Sequence, residues 1–138
     1  MSLLIHEFRP VGEGKSYAEI RSEIAFKEAE ERGCVVVVPK ANELFVDIDT
    51  KEQFDMFTRC LEVLRRTEKC TATWTESPSG EPHHFHMIVS LERDVKDPLE
   101  RITLQACLGS DPMREMLSWQ RYKCGDNVPT LFFEKKPT

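Results

Sequence analysis

The chain has 138 residues, 40% of them hydrophobic and 31% charged, with a formal net charge of −5, which gives room for one core and not two. No apolar run approaches the roughly 20 residues of a membrane span, and the first residues lack the basic region and sustained apolar stretch of a signal peptide, so a single cytoplasmic domain with no membrane partner is expected. The negative balance excludes a protein that coats duplex nucleic acid by electrostatics alone, but not one that grips a nucleotide or a strand through a bound cation.

Ser16 and Glu19 form a capping-box pattern, Ile20 and Ile24 have helical spacing, and Gly33 is placed to stop the helix, so residues 16–32 read as helical. Residues 34–38 then read as a buried strand, and Pro39 to Asn42 as a turn into a second strand over 43–49, which together predict a hairpin. Thr50 and Gln53 make another capping box, and Phe54, Phe57, Leu61 and Leu64 give an amphipathic helix over 50–66. Residues 70–76 are rich in β-formers, 77–80 carry turn chemistry, and 84–91 alternate, predicting a second hairpin. Asp97-Pro98 starts a helix that Gly109 ends, and Asp111-Pro112 starts another with Met113, Met116 and Leu117 on one face. Residues 124–129 read as a loop, 130–135 as a last strand and 136–138 as a tail. The five cysteines, Cys34, Cys60, Cys70, Cys107 and Cys124, are odd in number with no C-x-x-C pair, as expected of reduced thiols.

From residue 43 to 135 the order is strand, helix, strand, strand, helices, strand. That is an α+β, RRM-like or ferredoxin-like β-α-β-β-α-β core, preceded by an extra helix and strand over 1–42. Its sheet order of fourth, first, third, second would centre the strand at 43–49. Alternation sends Leu44, Val46 and Ile48 toward the helices and Phe45, Asp47 and Asp49 to the open face. It likewise groups Phe85, Met87, Val89 and Leu91 inward, and leaves His84, His86, Ile88 and Ser90 on the aspartates' face. In the last strand Leu131 and Phe133 go inward, while Thr130, Phe132 and Glu134 go outward. Two carboxylates at i and i+2 repel each other and call for a cation or full solvation, and Mg²⁺ and Mn²⁺ favour such oxygen donors.

The pair in Leu44-Phe-Val-Asp47-Ile-Asp49, the turn Ser77-Pro-Ser79-Gly80 leading through His84 or His86 into Met87-Ile-Val89, and Phe132-Phe133-Glu134 resemble, in order and spacing, the archaeo-eukaryotic primase superfamily. The resemblance implies a primase-like nucleotidyltransferase of DNA replication or repair, of a phage or mobile element. Asp47, Asp49 and Glu134 would hold two divalent ions, Mg²⁺ or Mn²⁺, for phosphoryl transfer. His86, or else His84, would contact nucleotide phosphates beside backbone donors of Ser79 and Gly80. The partners implied are a nucleotide and single-stranded or primed nucleic acid. Arg93, Arg101, Arg114 and Arg121 are the candidates for a basic phosphate contact.

Two other readings use the same strands. His84-Phe85-His86 is a His-hydrophobic-His motif similar to that of HUH endonucleases, which implies a metal held by the histidines and an aspartate, with Tyr122 as nucleophile. An RRM-like module without chemistry would instead stack bases on Phe45, Phe132 and Trp74.

Overall fold

The computed structural model describes residues 17–77, 80–125 and 132–135, with side chains described from residue 24 onward and, in the last strand, at Phe132 alone. Ser16, Ser79, the 126–131 segment and the 136–138 tail lie outside the described residues. The elements in chain order are α1 (Tyr17–Glu31), β1 (Cys34–Val37), β2 (Glu43–Ile48), α2 (Lys51–Leu64), β3 (Cys70–Glu76), β4 (Phe85–Leu91), α3 (Pro98–Cys107), α4 (Pro112–Lys123) and β5 (Phe132–Lys135). Among the described residues no helix is long and apolar enough to cross a membrane.

The locally coded starts and stops are met. Gly33, at φ +69°, takes the left-handed turn that ends α1. Thr50 caps α2 with both halves of the capping box formed with Gln53, and Asp97 and Asp111 cap α3 and α4, each followed by proline. β3 and β4 form the expected antiparallel hairpin, from Cys70 opposite Leu91 to Glu76 opposite Phe85.

The strands give an α+β fold with a three-stranded antiparallel sheet ordered β2-β4-β3 and a separate antiparallel ribbon, β1-β5. Two expectations are corrected here. β1 does not form a hairpin with β2, and β5 does not take the place beside β2, so β2 lies at the edge of its sheet and not at its centre. The reason lies along β2's outer edge, where side chains consume the backbone groups that a further strand would need. Arg101 donates to the carbonyl of Glu43, Phe45 N–H donates to Gln105 Oε1 at 2.9 Å, and Asp47 N–H donates to Ser110 Oγ at 3.1 Å. Asp111 N–H returns to the Asp47 carbonyl at 3.1 Å, and Asp49 N–H donates to Gln53 Oε1 at 2.9 Å. Helix α3 and the turn into α4 therefore do the work of a strand.

Alternation along β2 and β4 is as read. Leu44, Val46 and Ile48 join Met87, Val89 and Leu91 in a core closed by Phe57 and Leu61 of α2, Val95 and Leu108. Each such buried side chain contributes about 1.5–3 kcal/mol. Trp74 belongs to this helix-facing side, packing edge-on to Phe85 at 5.2 Å between centroids, and so does not share a face with Phe45.

Candidate functional site

The opposite face of β2 and β4 carries Phe45, Asp47 and His86, with His84 just before β4, and the antiparallel register sets Asp47 directly across from His86 and Phe45 across from Ile88. Asp49 follows the end of β2 on the same side. Asp47 Oδ1 lies 3.9 Å from His86 Nε2, and Asp49 Oδ1 lies 3.6 Å from His84 Nδ1. The two aspartates and two histidines are thus brought together as two cross-strand pairs.

This face is covered, and not open as expected. Phe132 of β5 is buried and stacks in parallel on Phe45 at 4.4 Å and on His86 at 4.0 Å between ring centroids. Helix α4 turns its polar side toward this face, reaching it through Arg114, whose Nη1 lies 3.1 Å from Asp47 Oδ2. Glu115 and Ser118 are buried and Arg114 and Leu117 are half-buried, while Met113, Met116 and Trp119 are exposed. Of the expected apolar face, Met113 and Met116 point outward and Leu117 is half-buried. The face beneath α4 already carries carboxylates, an imidazole and ring faces, so it takes charged and hydrogen-bonding partners.

The result is a graded site. Phe45 is sealed, the Asp47 side chain is 18% exposed and the Asp49 side chain is 38% exposed. Arg114 Nη1 meets Asp47 Oδ2 at 3.1 Å, with its guanidinium carbon 4.9 Å from the centre of the Phe132 ring. At the outer end, carboxylate oxygens of Asp47, Asp49 and Asp111 all lie within 4.8 Å of one another. Burial pushes the Asp49 carboxyl above its ordinary range, helped by the charges of Asp47 and Asp111 and opposed by His84 and Arg114.

Asp111 is the residue that the sequence reading left out of the site. Its side chain does cap α4, accepting from Met113 N–H at 3.1 Å, and that role hid its proximity to the pair. The position is fixed by a long-range bond from its own N–H to Asp47, which no local pattern signals. Three oxygen donors at such spacing suit a hard divalent ion of the Mg²⁺ or Mn²⁺ class, and Asp47, Asp49 and Asp111 would hold it.

The other expected members stand apart from this constellation or outside description. Glu134 pairs with Val35 in the ribbon, and its side chain lies outside the described residues, as does Ser79. Gly80 is exposed at φ +71° and its N–H is taken by the Ser77 carbonyl at 3.1 Å, a closed turn and not a presented donor. Tyr122 sits in the last turn of α4, half-buried.

Beneath α4 a buried network holds the site to the scaffold. Gln105, which accepts from Phe45 N–H, donates through Nε2 to Glu115 Oε1 at 2.9 Å. Burial raises the Glu115 carboxyl above its ordinary value, with Gln105, Ser110 and Arg114 acting the other way. Compared with known proteins, the chain matches no family model, no curated protein and no solved structure.

Proposed function

We propose that the chain binds a nucleoside triphosphate through a divalent cation, as a primase-like nucleotidyl-transfer domain acting on single-stranded or primed nucleic acid. The observation that carries the reading is the set of three carboxylates within 4.8 Å, at the end of β2 and the start of α4, with His84 and Arg114 at its margin. Oxygen donors bind the hard ions that accompany triphosphates, and the neighbouring histidine and arginine are donors suited to phosphate oxygens. Bound there, such an ion supplies charge neutralisation of the triphosphate and activation of an attacking hydroxyl.

In this reading Asp47 and Asp49, the latter the more exposed of the pair, hold the ion, and Asp111 takes the part that the primase resemblance assigned to Glu134. His84 contacts phosphate in preference to His86, whose ring lies flat against Phe132. The carboxylate set also favours this chemistry over the nuclease reading, which needs imidazole ligands. Calorimetry with ATP and Mn²⁺ tests it. Binding is expected for the wild-type chain and is expected to vanish in Asp47→Ala and in Asp49→Ala. Absence of heat with the wild type, or equal binding by the double variant, refutes it.

A further inference from the structure

Three of the four arginines that sequence alone leaves equal are separated by their partners, and the fourth by its place on the helix. Arg93 is held by Glu68 at 2.8 Å and Glu100 at 2.5 Å, away from the acidic set. Arg101 is a clamp on the backbone, donating to the carbonyls of Glu43, of Ala41 at 3.0 Å and of Val95 at 3.4 Å. Arg121 lies two turns beyond Arg114 on α4 and is half-buried. Arg114 reaches the triad, with Nη1 3.1 Å from Asp47 Oδ2.

The same Asp47 is a member of the carboxylate set, so Arg114 and a divalent ion contend for it. A guanidinium is planar and always charged, and its fork of donors matches a phosphate as well as it matches a carboxylate. The Phe132 ring, 4.9 Å from the guanidinium carbon, gives that charge a second support that does not depend on Asp47. We propose that Arg114 is the arginine that contacts phosphate at this site, beside His84, and that Asp47 holds it in reserve. In the ion-free protein Arg114 neutralises Asp47. Once Asp47 is committed to a divalent ion, the guanidinium turns its fork to the triphosphate that accompanies the ion. The inference rests on the nucleotide reading above.

This double role has a signature that simple charge removal lacks, because Arg114 opposes the ion alone and favours the ion with nucleotide. Titration calorimetry on the full chain reads both, first with MnCl₂ alone and then with ATP at saturating Mn²⁺. Arg114→Gln is expected to bind Mn²⁺ more tightly, by a few-fold up to about tenfold as an opposing charge is removed. It is expected to bind ATP at least about tenfold more weakly through loss of charge-assisted hydrogen bonds. Arg114→Lys, which keeps the charge and loses the fork, should leave Mn²⁺ binding near the wild type and still weaken ATP. It carries the test by itself if a circular-dichroism melt shows Arg114→Gln to be unfolded. Arg93→Gln makes the same change in net charge elsewhere and should do neither.

A change of the same sign in both titrations for Arg114→Gln, or an Arg93→Gln variant that reproduces its effects, overturns the proposal. If the wild type binds Mn²⁺ and ATP and Arg114→Gln matches it in both, the Arg114 assignment alone fails. If the wild type binds Mn²⁺ without ATP, or binds neither, the nucleotide reading fails and the assignment falls with it.

Discussion

The two faces of β2 are built from the same six-residue strand by opposite means. On one side Leu44, Val46 and Ile48 enter a dry core in which any well-packed apolar side chain of the right volume serves. On the other, Phe45, Asp47 and the following Asp49 pass in a few residues from a sealed ring stack to an ion pair to a half-exposed carboxylate. The first face holds the domain together. The second spends stability on placing like charges side by side, and such placement persists where surrounding structure fixes it. Here the fixing elements are Phe132, α4 and the side chains of Gln105 and Ser110 along the strand's outer edge.

The comparison can be broken most severely at the ring stack. Phe132→Ala removes a buried aromatic that touches Phe45, His86 and Arg114, and a loss of about 3–5 kcal/mol is expected in urea unfolding. If the loss is under about 1 kcal/mol, the ribbon does not seal this face. Ile48→Ala on the core side should cost about 2–5 kcal/mol while leaving Mn²⁺ affinity unchanged in protein that remains folded. Gln105→Leu is a smaller lesion. It leaves Phe45 N–H without its acceptor and takes one hydrogen bond from the Glu115 carboxyl, for about 1–3 kcal/mol, measurable by thermal melting.

A subtler test uses pH. The Glu115 carboxyl, raised by burial above its ordinary 4.5, holds its proton more tightly in the folded chain than in the unfolded one. The stability penalty of its charge is therefore complete above the folded pKa, shrinks as pH falls through that value and is gone below about 4.5. Glu115→Gln should melt higher than wild type at neutral pH and lose the advantage in acid. Melting curves that stay parallel across this range would contradict the assignment. The smallest effect on stability is expected at Asp49→Asn, within about 0.5 kcal/mol of wild type, since relief of repulsion offsets the lost contact with His84.

Much of the scaffold was legible because it is local. The Thr50–Gln53 box, the two Asp-Pro starts, the alternation of β2 and β4 and the β3–β4 hairpin depend on neighbours within a few residues. What failed was non-local. β1 and β5 find each other across most of the chain, and nothing in either strand shows that the edge of β2 is already taken by Arg101, Gln105 and Ser110. In helix α4 the sequence shows Met113, Met116 and Leu117 on one face but not which side is buried, and because the surface beneath the helix is polar it is Glu115 and Ser118 that are buried. Asp47, Asp49, His84 and His86 were placed together by period-two reasoning alone. Asp111 escaped because a helix cap is a sufficient explanation for an aspartate before proline.

The central claim is that the exposed end of β2 is a cation site and not merely an acidic patch. Electron paramagnetic resonance of Mn²⁺ titrated into the wild-type chain and into Asp49→Asn and Asp111→Asn variants addresses it directly. Loss of the free-ion signal at one equivalent in the wild type, abolished in Asp49→Asn and weakened in Asp111→Asn, is the predicted result. Equal uptake by all three proteins, or none by the wild type, would contradict it.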